Sequence, residues 1–118
     1  MTQNWVVPTA EDVVGRAVFN DQGLIPVIAQ DASSREVLML AWMNKDALQL
    51  TLREGRVTYF SRSRGELWRK GDTSGHIQHA TRILLDCDGD SLLMDIHQQG
   101  PACHTGSQSC FDVGNAGE

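Results

Sequence analysis

No apolar run in the chain approaches the ~20 residues that a membrane-spanning helix needs, so a helical span is not expected. The opening Met-Thr-Gln-Asn-Trp has neither the basic start nor the apolar stretch of a signal peptide. Both absences point to the cytosol. Cysteine is scarce, and its count of three is odd, so the cysteines cannot all pair within one chain. In a reducing compartment they serve instead as metal ligands, nucleophiles or buried thiols. Basic residues are in deficit, ten Lys and Arg against fifteen Asp and Glu, for a formal net charge of −5. That balance argues against general nucleic-acid binding. No internal repeat, low-complexity stretch or linker interrupts the sequence.

What remains is an ordinary globular composition, 41% apolar and 21% charged over 118 residues. A chain of this length folds as a single domain, 1–118, and buries a core without staples. Its charge is unevenly placed. From Arg53 to Arg82 seven basic residues face three acidic ones, whereas the rest of the chain has three basic and twelve acidic residues. A basic segment in an acidic protein suits a small anionic substrate better than a polymer.

Residues 1–22 give little local signal. Leu24–Gln30 is short, apolar and β-branched, and reads as a strand that Pro26 pushes toward an edge or a bulge. Asp31–Ser34 turns the chain, and Glu36–Met43 returns as a second strand. Asn44 caps a helix over Lys45–Glu54, with Ala47, Leu48 and Leu52 at helical spacing, and Gly55 stops it. Arg56–Ser61 is a strand, Ser63–Gly65 a turn, and Glu66–Trp68 the return. Lys70–Gly75 is a polar loop. Gln78–Asp86 is a strand in which Ala80, Arg82, Leu84 and Asp86 alternate against His79, Thr81, Ile83 and Leu85. Asp88–Asp90 makes a tight turn, and Leu92–His97 runs back. The expected class is α+β, a compact, mainly antiparallel sheet with one or few short helices.

The chemistry concentrates near the C-terminus. Gly100-Pro-Ala-Cys-His-Thr-Gly-Ser-Gln-Ser-Cys-Phe111 holds two of the three cysteines and one of the four histidines. The third cysteine, Cys87, lies within Asp86-Cys-Asp-Gly-Asp90. Cys87, Cys103 and Cys110 do not follow a zinc-finger spacing. They are either buried thiols or three soft ligands of an open, catalytic zinc site. Asp86, Asp88 and Asp90 either make a turn or offer hard oxygen ligands to magnesium. An EF-hand fails, because the glycine is at the fourth loop position and His97 at the twelfth. His104 could handle a proton beside the metal, and His76 could do similar work. Lys70, Thr73 and Ser74 belong to a loop able to cradle an anion, and Arg62 and Arg64 add two guanidiniums; a solvated hairpin tip is the plain alternative.

Together these segments resemble the phosphoribosyl-AMP cyclohydrolase family of histidine biosynthesis. The resemblance runs from Gly-Leu-Ile-Pro26 through Leu-Met-Leu-Ala-Trp-Met-Asn44 and Tyr-Phe-Ser-Arg-Ser-Arg64. It continues in Leu-Trp-Arg-Lys-Gly-Asp-Thr-Ser-Gly-His-Ile-Gln78, the Asp86–Asp90 motif, Gly-Pro-Ala-Cys-His-Thr-Gly106 and Ser-Cys-Phe111. It is to the single-function form, without a fused pyrophosphohydrolase. It implies zinc on Cys87, Cys103 and Cys110, shared across a homodimer, and magnesium on Asp86, Asp88 and Asp90. It also implies hydrolysis of the N1–C6 bond of the substrate's adenine. Two other readings stand beside it. A zinc nucleobase deaminase attacks the same kind of carbon, but its His-x-Glu and Pro-Cys-x-x-Cys signatures are missing. A non-catalytic nucleotide-binding module would hold a structural zinc in a closed four-ligand site.

Overall fold

A computed structural model describes residues 10–72, 74–100 and 109–111. The elements in chain order are α1 (Ala10–Arg16), β1 (Ile25–Asp31), β2 (Val37–Met43), α2 (Lys45–Glu54), β3 (Thr58–Ser61), β4 (Glu66–Arg69), β5 (Gln78–Leu85) and β6 (Leu92–Gln98). Four strands make one sheet in the order β2-β1-β6-β5, and β3 and β4 form a separate hairpin. All pairings are antiparallel except β1 with β6. The fold is α+β and mainly antiparallel, as the sequence implies.

Local chemistry accounts for the elements that the sequence locates. The Asn44 side chain accepts the Ala47 N–H at 2.8 Å, and Gly55, in the left-handed region, donates its N–H to Thr51 at 2.8 Å. These are the start and stop of α2. Buried Thr51 then ties the helix to β3, because its hydroxyl accepts the Thr58 N–H at 3.0 Å. In the β1–β2 turn the Asp31 carboxylate accepts the N–H groups of Ser33 and Ser34 at 2.9 and 2.8 Å. Those bonds, led by Ser34, hold its carboxyl below the usual carboxylate range.

The core lies on one face of the sheet. Ile25, Val27 and Ala29 of β1, Met39 and Met43 of β2, and Met94 and Ile96 of β6 are buried there with Ala47 and Leu48 of α2. Val13 of α1 joins them, so a second helix lies in the stretch that carried no readable signal. The opposite face carries a row of cross-strand neighbours, Leu40, Ile28, Leu93 and Leu84. Beside it, buried Asp95 accepts from Gln30 at 2.8 Å and pairs with Arg82 at 2.8 Å and Arg35 at 3.5 Å.

Strand β5 departs from the alternation expected of it. The register with β6 shifts between Ala80 and Arg82, so Thr81 has no residue opposite it and instead donates its hydroxyl to the Asp95 carbonyl at 3.1 Å. A bulge of this kind inverts the side-chain order beyond it. Ala80 and Ile83, expected on opposite faces, are therefore both buried.

Candidate active site

The start of β2, the end of β6 and the start of β5 lie at the same end of the sheet. Ser109 and Cys110 dock beside β2. The Cys110 N–H donates to the Leu38 carbonyl at 2.7 Å, and the Ser109 hydroxyl donates to Val37 at 2.7 Å. This leaves the Cys110 thiol exposed. At the end of β6, the Gln99 N–H bonds to Ile77 at 2.9 Å, which brings Gly100 against His76. Gly100 has φ of 77°, and a Cβ there would lie 2.6 Å from the His76 ring. No larger residue fits without displacing that ring. Gly100 and Ser109 thus bracket the segment containing Cys103 and His104, which lie outside the described residues, as does Thr73.

At the other end, Asp86–Asp90 forms the β5–β6 turn. The Asp86 N–H bonds to Ser91 at 3.0 Å, the Gly89 N–H to Asp86 at 3.0 Å, and the Asp90 N–H to the Asp86 carboxylate at 3.1 Å. Gly89 has φ of 76°, and a Cβ there would meet the Arg16 carbonyl at 2.8 Å. The turn reading is therefore correct, and it does not exclude the other. The three carboxylates are exposed, and among the described residues no Lys or Arg pairs with any of them. The hydrogen bond with Asp86, then the charges of Asp86 and Asp88, push the Asp90 carboxyl above its usual range. Carboxylate oxygens of this kind suit a divalent, oxygen-preferring ion in type, but the turn as described does not gather the three around one point.

Cys87 is also exposed, in that turn. It is separated from Cys110 both across and along the sheet. Strands β2 and β5 are the two edges, three strand spacings apart, or about 14 Å. Leu38 lies near the level of Arg82, several residues short of Cys87. The thiols are thus on the order of 20 Å apart, whereas two sulfurs on one zinc lie about 4 Å apart. Among the described residues no group of three or more His, Cys, Asp or Glu side chains could hold a metal ion. One chain does not bring Cys87 and Cys110 together.

The basic candidates divide by exposure. Arg62 and Arg64 sit at the β3–β4 tip, the first stacked over Trp42 at 4.5 Å and the second 3.5 Å from Glu66. Ser74 is exposed and accepts the His76 N–H at 3.1 Å. Lys70 is buried, with its ammonium 5.6 Å from the centre of the Trp68 ring, which in turn packs against Tyr59.

Sequence reasoning missed a buried polar chain at this end of the sheet. The Tyr59 hydroxyl donates to Gln78 at 2.6 Å, and the Gln78 amide donates to Gln98 at 2.7 Å. Burial first, and then the charge of Cys110, push the Tyr59 phenol far above its usual range, so it stays a donor. Tyr59 and Gln78 are nineteen residues apart, and no local pattern announces such a pair. Tyr59 lies between polar and aromatic neighbours in β3 and Gln78 opens the mixed strand β5, so neither stands out in its own segment.

The model of the family described as phosphoribosyl-AMP cyclohydrolase matches residues 39–112, more than half of the chain. The chain belongs to the phosphoribosyl-AMP cyclohydrolase family. Relatives bearing that name include a Halorhodospira halophila protein, 64% identical over 93 residues, which cover 79% of this chain and 66% of the relative. A Micrococcus luteus protein is 56% identical over 101 residues, 86% of this chain and 80% of its own length. One from Renibacterium salmoninarum is 61% identical over 100 residues, 85% of this chain and 76% of the relative. As a phosphoribosyl-AMP cyclohydrolase family member, the chain is an enzyme of the hydrolase class. The matched span contains all three cysteines and all three turn carboxylates.

Proposed function

We propose that the chain is a zinc-dependent phosphoribosyl-AMP cyclohydrolase of the histidine pathway, working in the cytoplasm as a homodimer whose zinc sites are shared between chains. The observation that carries this reading is the placement of two exposed thiols, Cys87 and Cys110, at opposite ends of the sheet. A two-fold dimer that sets Cys87 of one chain beside Cys103 and Cys110 of its partner makes two equal sites. The outward face supports the same arrangement. The helices pack on the core face, and Leu40, at the edge of the outward aliphatic row, is 50% exposed. No described helix is long and apolar enough to cross a membrane.

Phosphoribosyl-AMP carries a second phosphoribosyl group on N1 of its adenine, which withdraws electrons and makes C6 electrophilic. Cys87, Cys103 and Cys110 would hold zinc, which when bound supplies hydroxide from water near neutral pH. Addition at C6 and cleavage of N1–C6 leave a carboxamide on the imidazole. His104 takes and returns the proton, and His76, packed against Gly100, is the second candidate. Asp86, Asp88 and Asp90 would hold magnesium. Arg62, Arg64, Lys70, Thr73 and Ser74 hold the two phosphates and fix the ring's orientation.

The test is a spectrophotometric assay with phosphoribosyl-AMP and a zinc chelator. Turnover that stops with chelator, returns with zinc and releases no ammonia is the expected result. Ammonia release would make the enzyme a deaminase, and chelator-insensitive turnover would remove zinc from the mechanism.

The turn carboxylates give a separate prediction. Asp88→Asn keeps the turn preference and removes one charge. We expect a large loss of turnover, partly recovered at high magnesium, with little change in melting temperature. Unchanged turnover would confine these residues to the turn.

A further inference from the structure

We propose that Tyr59, Gln78 and Gln98 form a positioning relay that fixes the Gly100 carbonyl, and through it the start of the segment carrying Cys103 and His104. The proposal rests on the zinc reading only for what that segment does once it is placed.

The relay has three links of similar length. Tyr59 donates to Gln78 at 2.6 Å, Gln78 donates to Gln98 at 2.7 Å, and Gln98 donates to the Gly100 carbonyl at 2.8 Å. A backbone carbonyl can only accept. Gln98 must therefore turn its amide nitrogen to Gly100 and its oxygen to Gln78. Gln78 must then offer its nitrogen to Gln98 and its oxygen to Tyr59, and Tyr59 must donate. The direction of every proton follows from the one group at the end of the chain, and aligned donors polarise one another.

Position makes the relay more than core packing. Tyr59 and Gln78 are fully buried, where polar groups cost stability unless they are satisfied. The chain starts on the β3–β4 hairpin, crosses to β5 and β6, and ends at the residue whose backbone packs on the His76 ring. A partner bonded directly to a metal ligand costs roughly 10–100-fold in metal affinity or activity when lost; the relay acts further out, ending in an exposed bond to Gly100 three residues before Cys103, so the low end of that range applies.

The experiment compares Gln98→Leu with a control, Ile83→Val, which trims the core and leaves the relay intact. The first readout is amide hydrogen exchange in metal-free protein, on the peptide from Gln99 to Cys110. We expect exchange about tenfold faster in Gln98→Leu, the effect of losing roughly one hydrogen bond's worth of local stability, and unchanged in Ile83→Val. The second is zinc affinity, by competition with a chromophoric chelator, expected to fall by about tenfold in Gln98→Leu alone. kcat should fall with it while KM holds, because no substrate contact is removed. Should Gln98→Leu fail to fold, Tyr59→Phe removes one hydroxyl and is expected to shift both readouts in the same direction by less.

Exchange unchanged in the relay variant, or raised equally in the control, overturns the proposal. Faster exchange with intact zinc affinity overturns it too, since the relay would then stabilise the core without placing the site. A wild-type protein that binds no zinc sinks the zinc reading instead, and the exchange comparison still decides the relay.

Discussion

Cys110→Ser is expected to abolish turnover and release zinc while leaving the fold intact. The two effects separate because the structure divides the residue's roles. Its backbone N–H anchors the chain to Leu38 at 2.7 Å, and serine keeps that bond. Its side chain is exposed, and substitutions at exposed positions usually change stability by about 0.5 kcal/mol or less. What serine cannot supply is a thiolate, because a neutral hydroxyl is a poor zinc ligand near pH 7. Cys103→Ser should behave in the same way toward zinc. Metal analysis and a melting curve on one preparation check both halves. Full zinc with full turnover in Cys110→Ser would withdraw the cysteine assignment.

His104→Ala is expected to lower kcat by ~10²–10⁴-fold, the usual size of a general acid–base contribution. Zinc content should hold, because the three thiolates remain. The acidic limb of the pH–rate profile should also change. A general base must be deprotonated to work, so the rate of the natural enzyme falls as pH drops through the pKa of that base, about 6.5 for an unperturbed histidine. Removing the base removes that dependence. A fourth-ligand role gives a different pattern, in which metal affinity falls with rate. Measuring zinc content and rate on the same variant separates the two. Normal values of both would take His104 out of the mechanism and move the role to His76, which the structure places against Gly100.

Features fixed by local chemistry were legible in the sequence. Helix α2 begins at Lys45 and ends at Glu54, where Asn44 and Gly55 place its boundaries. The Asp86–Asp90 turn and the two-stranded β3–β4 pair follow from residues within a few positions of each other. Non-local features were not legible. Nothing in Val27 or Leu92 announces that β1 and β6 pair in parallel across the sheet. The bulge at Thr81 arises from pairing with β6, so the strict alternation read from Gln78–Asp86 placed Ala80 and Ile83 on opposite faces. Helix α1 is only seven residues long, shorter than local propensity alone can hold, and Val13 in the core gives it the support it needs.

The candidate site divides along the same line. Thiols and carboxylates announce their chemistry by type, so candidate metal ligands could be named without a structure. Their separation could not. Cys87 and Cys110 are 23 positions apart in the sequence, which is as compatible with one pocket as with two distant corners. The sheet order decides between these, because β2 and β5 are its opposite edges. The relay from Tyr59 was hidden for a related reason, since its members meet only after three elements have assembled.

The central claim is that each zinc site takes Cys87 from one chain and Cys103 and Cys110 from the other. Co-expressing Cys87→Ser chains with Cys110→Ser chains, and purifying the heterodimer by two different tags, tests it most directly. Each parent homodimer should be inactive. In the heterodimer, shared sites collect both lesions in one site and leave the other intact, so about half of the natural activity and one zinc per dimer should return. Sites built within one chain would instead carry one lesion each. A pure heterodimer with no turnover and no bound zinc would contradict the shared site.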